Sequence, residues 1–277
     1  MSTNKQRRQA AQRHLQRQLE RRAELVKKRR RNVAIGATVA AVVVVVVAAL
    51  LITGVFKGQD DSTAAAGSST PATGAAAHTT NADGTVSCTY SPDDPGNTNL
   101  TDVGTPPKAE ATVAEGTSTL LMSTDQGDLT LTLDRAKAPC AAASFTFLAQ
   151  QKFFDGSTCH RLVNEETFGV LQCGDPTGTG SGGPTYKYAE EVTPDTTYPK
   201  GTIAMAKTSQ PNTTGSQFFL CFVDTQLPPE YTVVGTVDDA GLAVLEKVAA
   251  GGIKDVGPTG DGAPAIPVTI KTMTVAA

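Results

Sequence analysis

A run of 24 residues without a charged side chain, 33–56, constrains this chain more than any other sequence feature. Val and Ala dominate the run, and Lys57 closes it. Crossing the hydrocarbon core of a bilayer takes roughly 20 apolar residues, so the run is long enough for one membrane-spanning helix. A cleaved signal peptide is the alternative, but its apolar region normally has only about 7–15 residues. We therefore expect a single transmembrane helix over residues 33–56.

The two flanks of this run carry opposite charge. Residues 1–32 hold 12 Lys and Arg against two acids, Glu20 and Glu24. Subtracting these from the chain's 24 basic and 27 acidic residues leaves 12 bases and 25 acids in residues 33–277, a formal charge of −13. The positive-inside rule predicts that residues 1–32 form a cytoplasmic tail and that the body lies outside the membrane. Because orientation and attraction to anionic lipid account for the basic tail, we expect no nucleic-acid partner.

The segment that follows, 57–111, is predicted to be a flexible linker. Up to about Ser87 it consists mostly of Ser, Thr, Ala and Gly, which cannot bury enough surface to offset the entropy of ordering. The remainder is transitional, with turn-forming residues at 91–96 and the pair Pro106-Pro107. The folded domain is therefore predicted over residues 112–277, a length sufficient for one well-buried core.

Short strand patterns alternate with two helical patterns in residues 112–277. The segments 119–123 and 129–133 flank a hairpin signal in which Gly127 can adopt positive φ. Helices are predicted over 139–151 and 242–250. Further strands are predicted over 158–163, 169–172, 201–205, 217–222, 231–237 and 268–275. This pattern favours a mainly β fold, a closed antiparallel barrel capped by two helices.

Three motifs carry the functional information: the pair His160-Arg161, the block 171–175 (LQCGD) and the block 215–220 (GSQFFL). An arginine on a strand that faces an aromatic floor suits the binding of a small apolar ring whose amide must be polarised. Taken in order with Met205-Ala206 and the later Val-Val-Gly at 233–235, these motifs resemble those of cyclophilin-type peptidyl-prolyl isomerases. The resemblance extends from residue 119 to residue 275.

The resemblance implies a set of site residues. Arg161 would be the catalytic arginine, and Gln172 would be its neighbour across the groove. Phe219, Met205 and Leu227 would form a proline pocket. The other implied substrate-binding residues are His160 beside the arginine, Phe168 as a pocket aromatic, Ala206 and Gln217 along the adjoining groove, and Tyr231 where many members have histidine. The implied partners are proline-containing polypeptides; we expect a monomer that needs neither a cofactor nor a metal ion.

The sequence departs from the family pattern at the rim of this site. The chain has no tryptophan, and the position where eukaryotic members often carry one falls on Gln226 or Leu227. An insertion, Asn164–Thr167, replaces a common Pro-Gly turn, and Lys207 stands where asparagine is frequent. These departures put tight binding of cyclosporin-like cyclic peptides in doubt more than they do catalysis.

A glycine-rich segment, Gly178–Gly183, formally fits the dinucleotide-binding pattern G-x-G-x-x-G. In a dinucleotide site the pattern must open a helix, whereas Pro184 follows it here. We therefore interpret the segment as a glycine loop at the rim of the groove.

The five cysteines suggest disulfides rather than a metal or redox centre, because no C-x-x-C pair or histidine partner accompanies them. If strands 158–163 and 169–172 form a hairpin, Cys159 and Cys173 lie near its open end and can bridge. Cys88 and Cys140 are the natural second pair, which leaves Cys221 as the free thiol. An extracytoplasmic location permits such bonds.

The sequence thus predicts a membrane-anchored, extracytoplasmic prolyl isomerase that assists the folding of exported or envelope proteins. Two alternatives stay open. One is a binder of proline-containing segments without turnover, which the altered rim favours. The other is an envelope scaffold with a degenerate barrel, which nothing specific favours.

Overall fold

The computed structural model describes residues 78–276. The predicted cytoplasmic tail (1–32), the predicted transmembrane helix (33–56) and the predicted linker up to residue 77 lie outside the described residues. Within residues 78–276, no helix combines the length and apolar character needed to cross a membrane.

The described part is mainly β, with two α-helices, as predicted. The helices are α1 (Pro139–Gln150) and α2 (Asp239–Ala250), and one 3₁₀ turn covers Ala109–Ala111. The strands are β1 (His78–Thr80), β2 (Val86–Cys88), β3 (Ser91–Pro92), β4 (Leu100–Thr101), β5 (Thr117–Thr124), β6 (Asp128–Asp134), β7 (Arg161–Glu165), β8 (Phe168–Cys173), β9 (Gly183–Pro184), β10 (Tyr186–Lys187), β11 (Thr202–Met205), β12 (Phe218–Cys221), β13 (Val233–Val237), β14 (Ile253–Lys254), β15 (Ala263–Pro264) and β16 (Ile270–Val275).

The central sheet has eight strands in the order β16-β5-β6-β13-β11-β12-β8-β7, and every neighbouring pair is antiparallel. The prediction of a closed barrel is wrong: the sheet curls into a half-barrel whose edge strands β7 and β16 do not pair with each other. Isolated bridges join the two sides instead, Thr158 to Thr269 and Leu162 to Gly262. Around the first bridge the segments 156–159 and 268–270 exchange three backbone hydrogen bonds, a contact too short to form a continuous ladder between β7 and β16.

The predicted hairpin is confirmed as β5 and β6. At its turn Gly127 has φ 144°, a conformation that favours glycine. The hydroxyl of Thr124 accepts hydrogen bonds from the backbone N–H groups of Gln126 and Gly127, both at 3.1 Å. Leu129, Leu131 and Leu133 alternate with polar residues and are fully buried, as the two-residue period of a strand requires.

The two helices pack on this sheet and complete the core. α1 begins with Pro139 at its first position, where the missing N–H costs nothing, and it contacts β5, β6 and β16. Its Phe145 is fully buried, with ring centroids 4.9 Å from Phe218 and 5.2 Å from Phe154. α2 begins three residues earlier than predicted because the Asp238 side chain caps it, accepting from Gly241 N at 3.0 Å.

The folded unit also begins earlier than the predicted boundary at residue 112. Residues 78–111 were predicted to be flexible, but β1 pairs with β2, β3 pairs with β10, and β4 runs parallel to β9. Tyr90 packs edge-on against Tyr186 at 5.3 Å, and its hydroxyl donates to the carbonyl of Cys140 at 2.9 Å. A few apolar side chains and one covalent link thus hold a segment whose average composition favours disorder.

The cysteine predictions are confirmed. Disulfides join Cys88 to Cys140 and Cys159 to Cys173, and Cys221 is free and buried. Burial raises the pKa of the Cys221 thiol to about 12, so it stays protonated and unreactive at neutral pH. The first bond ties the N-terminal segment to α1, and the second joins the open ends of the β7–β8 hairpin.

Candidate active site

Four adjacent strands place one row of side chains across the sheet. Register pairs Arg161 on β7 with Gln172 on β8, Gln172 with Phe219 on β12, and Phe219 with Ala204 on β11. Directly paired residues of antiparallel strands point to the same face, with Cβ atoms about 4.5–5.5 Å apart. The sheet therefore brings together an arginine, an amide and an aromatic ring that lie far apart in sequence.

Hydrogen bonds fix the polar members of this row. Arg161 Nη1 donates to Gln172 Oε1 at 3.1 Å, and Gln172 Nε2 donates to Gln217 Oε1 at 2.9 Å. Gln217 Nε2 in turn donates to the carbonyls of Gly180 and Gly182, both at 3.0 Å. Because each amide both accepts and donates, its orientation is set, and the guanidinium is held in one place.

Beside Arg161 lies a cavity of about 280 Å³ in which aromatic and aliphatic side chains alternate with polar ones. It is lined by Arg161, Phe168, Val170, Gln172, Ala206, Lys207, Phe219, Leu227 and Tyr231. The Phe219 and Tyr231 rings meet edge to face at 5.6 Å, and the backbone N–H of Tyr231 donates to the Tyr198 hydroxyl at 2.9 Å. The structure thus brings Arg161, Gln172, Phe168, Ala206, Phe219, Leu227 and Tyr231 to one cavity; Gln217 reaches it through Gln172.

Met205 does not belong to this cavity, and its predicted pocket role is wrong. The side chain is buried in the main core with Ile203, on the face of the sheet opposite to the cavity. Successive side chains of a strand point to opposite faces, so Met205 and Ala206 cannot both line the same pocket. Ala204 and Ala206 take the cavity side.

Val170 is a cavity residue that the sequence analysis missed. The same alternation identifies it, because Phe168, Val170 and Gln172 stand two residues apart on β8 and share a face. The intervening Leu171 packs into the main core. Asp261, which pairs with Arg161, was also missed; it lies 100 residues downstream, and no local pattern connects the two.

His160 is not brought into the cavity. Its backbone N–H donates to the carbonyl of Gln172 at 3.1 Å, so it extends the β7–β8 pairing by one residue. Burial lowers the pKa of its imidazole, and Nδ1 has no hydrogen-bond partner among residues 78–276. The ring lies near Gly180 of the glycine loop, and His160 is not among the residues that line the cavity.

The insertion Asn164–Thr167 forms the tip of the β7–β8 hairpin. Glu165 pairs with Phe168, so Glu166 and Thr167 make the turn. The Thr167 carbonyl accepts from the N–H of Gln226 at 2.8 Å, which joins the tip to the wall carrying Leu227. The insertion therefore supports the rim and leaves the cavity open.

A second cavity of about 410 Å³ adjoins the first and shares Gln172, Ala206 and Lys207 with it. The glycine loop forms its rim, as predicted, together with Asp93, Asn97 and Leu100 of the N-terminal segment. Asp175 organises this loop, accepting from Gly180 N at 2.6 Å and from Thr177 N at 2.8 Å. Burial raises the pKa of Asp175, but the hydrogen bonds from the Thr177 hydroxyl and from the backbone N–H groups of Gly182, Thr177 and Gly180 together lower it overall.

Lys207 stands between the two cavities. Its ammonium nitrogen lies 5.9 Å from the centroid of the Tyr231 ring, within the range of a cation–π contact. This contact keeps a positive charge at the point where the two cavities join.

Fold and site together define a half-barrel β protein with an arginine beside a cavity that aromatic and aliphatic side chains line. The family described as "Cyclophilin type peptidyl-prolyl cis-trans isomerase/CLD" matches residues 119–275. The chain belongs to this family.

Relatives and solved structures agree with this assignment. The chain is 47% identical over 181 residues to a probable peptidyl-prolyl cis-trans isomerase B of Mycobacterium leprae, covering 61% of this chain and 60% of the relative. It is 46% identical over 164 residues to the counterpart from Mycobacterium tuberculosis, covering 55% of this chain and 52% of that relative. The chain thus matches somewhat more than half the length of these relatives.

Among solved structures, a cyclophilin-type isomerase of Cryptosporidium parvum superposes with a TM-score of 0.51 at 28% identity, covering 58% of this chain and 99% of that one. A second structure of that protein was determined in the presence of the dipeptide Ala-Pro, and it superposes with a TM-score of 0.50 at 29% identity.

Proposed function

We propose that this chain catalyses cis–trans isomerisation of X-Pro peptide bonds. One observation carries the proposal: a guanidinium held by hydrogen bonds faces an apolar cavity whose floor is Phe219. The Ala-Pro dipeptide present with the Cryptosporidium protein contains one X-Pro peptide bond, which supports this choice of substrate.

Rotation about a peptide bond is slow because resonance gives the C–N bond partial double-bond character, with a barrier of about 18–20 kcal/mol. In the twisted state the proline nitrogen regains its lone pair and becomes a hydrogen-bond acceptor. A guanidinium that donates to this nitrogen stabilises the twisted state more than either planar state, and such differential binding is catalysis. Neither a nucleophile nor a proton transfer takes part.

The cavity supplies the remaining requirements. Phe219, Leu227 and Val170 offer an apolar surface to the proline ring and exclude water from the reacting bond. Gln172, held by Arg161 and Gln217, is positioned to bind a carbonyl that flanks the proline. Once the proline ring is fixed, rotation about the X-Pro bond moves only the N-terminal segment, which ends in the carbonyl group of residue X.

The activity is tested with proline tetrapeptides. Uncatalysed X-Pro bonds interconvert over roughly tens to hundreds of seconds, so a catalyst is detected directly as a faster cis-to-trans phase. We expect a rate that rises linearly with the concentration of the purified chain. A folded chain that binds the tetrapeptides but leaves the rate unchanged would support the non-catalytic binder instead.

We further propose that the enzyme acts outside the cytoplasmic membrane as a monomer anchored by residues 33–56, assisting the folding of exported proteins. The uncharged run and its basic flank support this orientation. Disulfides persist in oxidising compartments, and the two bonds Cys88–Cys140 and Cys159–Cys173 fit such a location.

In bacterial cells that express the chain, we expect it in the membrane fraction after an alkaline carbonate wash. Protease added outside spheroplasts should digest the isomerase domain. A variant that lacks residues 33–56 is the control and should appear in the soluble fraction. Full-length chain in the carbonate supernatant, or a domain protected until the cells are lysed, contradicts the anchored orientation.

A further inference from the structure

The catalytic candidate Arg161 has a second polar partner besides Gln172. Its Nε donates to Oδ2 of Asp261 in an ion pair, in which the Arg161 side chain is 36% exposed and the Asp261 side chain 18% exposed. A pair so close to an apolar cavity is screened less by solvent than one on the open surface. The pair therefore gives Nε of Arg161 a charged partner in addition to the Gln172 amide on Nη1.

The loop that carries Asp261 is fixed by its own backbone. β14 and β15 pair at its base, and Gly257 N donates to the Asp261 carbonyl at 2.8 Å. The next residue, Gly262, bonds to Leu162 in both directions, at 2.7 and 3.3 Å, beside Arg161 on β7. Backbone pairing thus places Asp261 beside Arg161.

The carboxylate is itself oriented. The Thr259 hydroxyl donates to Oδ1 of Asp261, while Oδ2 faces Arg161. The hydrogen bonds from Thr259 and from Arg161 hold the pKa of Asp261 below its usual value. Both carboxylate oxygens have defined partners, so the carboxylate has one preferred orientation.

The two contacts on Arg161 define the plane of the guanidinium. An arginine has five N–H donors; one on Nε goes to Asp261 and one on Nη1 goes to Gln172, which leaves three. Because two different nitrogens are held, the planar group cannot rotate about its long axis. The remaining donors then point in fixed directions from the wall of the cavity.

We propose that Asp261 is a positioning residue that sets the plane of the Arg161 guanidinium and so aims its remaining donors at the X-Pro bond. The proposal rests on the proposed isomerase function. A misplacement of about 1 Å in a catalytic group can cost roughly 100-fold in rate, which gives such a residue a measurable effect. Asp261 is not among the residues that line the cavity.

Three variants of the full-length chain distinguish whether Asp261 acts by holding Arg161 in place or by its negative charge. Asp261→Ala removes the acceptor, and we expect kcat/KM for proline tetrapeptides to fall about 10-fold, through kcat rather than KM. Asp261→Asn keeps an acceptor at the same reach and should stay within about 3-fold of the wild type. The matched control Asp255→Asn removes the same charge from the exposed part of the same loop and should leave kcat/KM unchanged.

A readout independent of turnover accompanies the kinetics. In nitrogen-15 spectra, Arg161→Lys identifies the Arg161 Nε–H signal by its loss. We expect this proton to exchange with water slowly in the wild type and at least 10-fold faster in Asp261→Ala. If Asp261→Ala does not fold, Asp261→Ser, whose hydroxyl is too short to reach Nε, takes its place.

Asp261→Ala with wild-type kcat and an unchanged Nε–H exchange rate overturns the positioning role while leaving the isomerase function intact. Asp261→Asn that loses as much activity as Asp261→Ala also overturns it, since charge and not position would then matter. A wild-type chain without activity refutes the isomerase function itself, and the exchange rates then still report whether Asp261 holds Arg161.

Discussion

Replacement of Arg161 by alanine is expected to lower kcat/KM for X-Pro isomerisation by roughly 100-fold or more, the effect of removing one preorganised donor to a transition state. Arg161→Lys should recover little of this loss, because an ammonium group lacks the planar fork that holds both Gln172 and Asp261. The free energy of unfolding should change by less than about 1 kcal/mol, since the Arg161 side chain is 36% exposed.

The control for this prediction is Lys200→Ala. Lys200 also pairs with an acid, Glu246, but both side chains are about half exposed and neither lines the cavity beside Arg161. Kinetics and urea unfolding of the two variants are measured side by side. An Arg161→Ala variant that retains activity within about 3-fold of Lys200→Ala contradicts the role of the arginine.

Truncation of the two adjacent phenylalanines on β12 should affect different quantities, the free energy of unfolding for Phe218 and the KM for Phe219. Phe218 is fully buried and packs against Phe145 at 4.9 Å and Phe154 at 5.9 Å, so Phe218→Ala should cost about 3–5 kcal/mol of unfolding free energy. Phe219 borders the cavity, so Phe219→Ala should cost less stability. Loss of its apolar contact with the proline ring should raise KM roughly 10-fold.

Urea unfolding and steady-state kinetics on both variants test this contrast. Phe218→Leu keeps most of the buried volume and is the milder control, with an expected cost below about 1.5 kcal/mol. Equal losses of stability in Phe218→Ala and Phe219→Ala, with unchanged KM in the latter, would show that both rings serve only the core.

Local sequence patterns predicted the elements of this fold well. Alternation in β5 and β6, the turn at Gly127 and the apolar face of α1 each depend on neighbouring residues, and each is observed. The disulfide Cys159–Cys173 followed from one hairpin, which is also a local feature. Alternation applied to β11 and β8 would have excluded Met205 from the pocket and included Val170.

The features that the sequence could not predict depend on contacts between distant segments. Whether β7 and β16 pair depends on the path of two irregular connections, which no periodicity encodes. The order of residues 78–111 depends on β3 pairing with β10 and β4 pairing with β9, against a composition typical of a linker. Asp261 reaches Arg161 only because Gly262 pairs with Leu162.

We expect the chain to accelerate rotation about the X-Pro bond and not merely to bind it. Exchange spectroscopy of a proline peptide, with a small amount of the chain, observes both processes in one sample. Free peptide shows no cis–trans cross-peaks at mixing times far below its exchange time of roughly tens to hundreds of seconds. We predict cross-peaks in the presence of the wild-type chain and none with Arg161→Ala. Peptide resonances that shift on binding while the cross-peaks stay absent would refute catalysis and identify the chain as a proline-peptide binder.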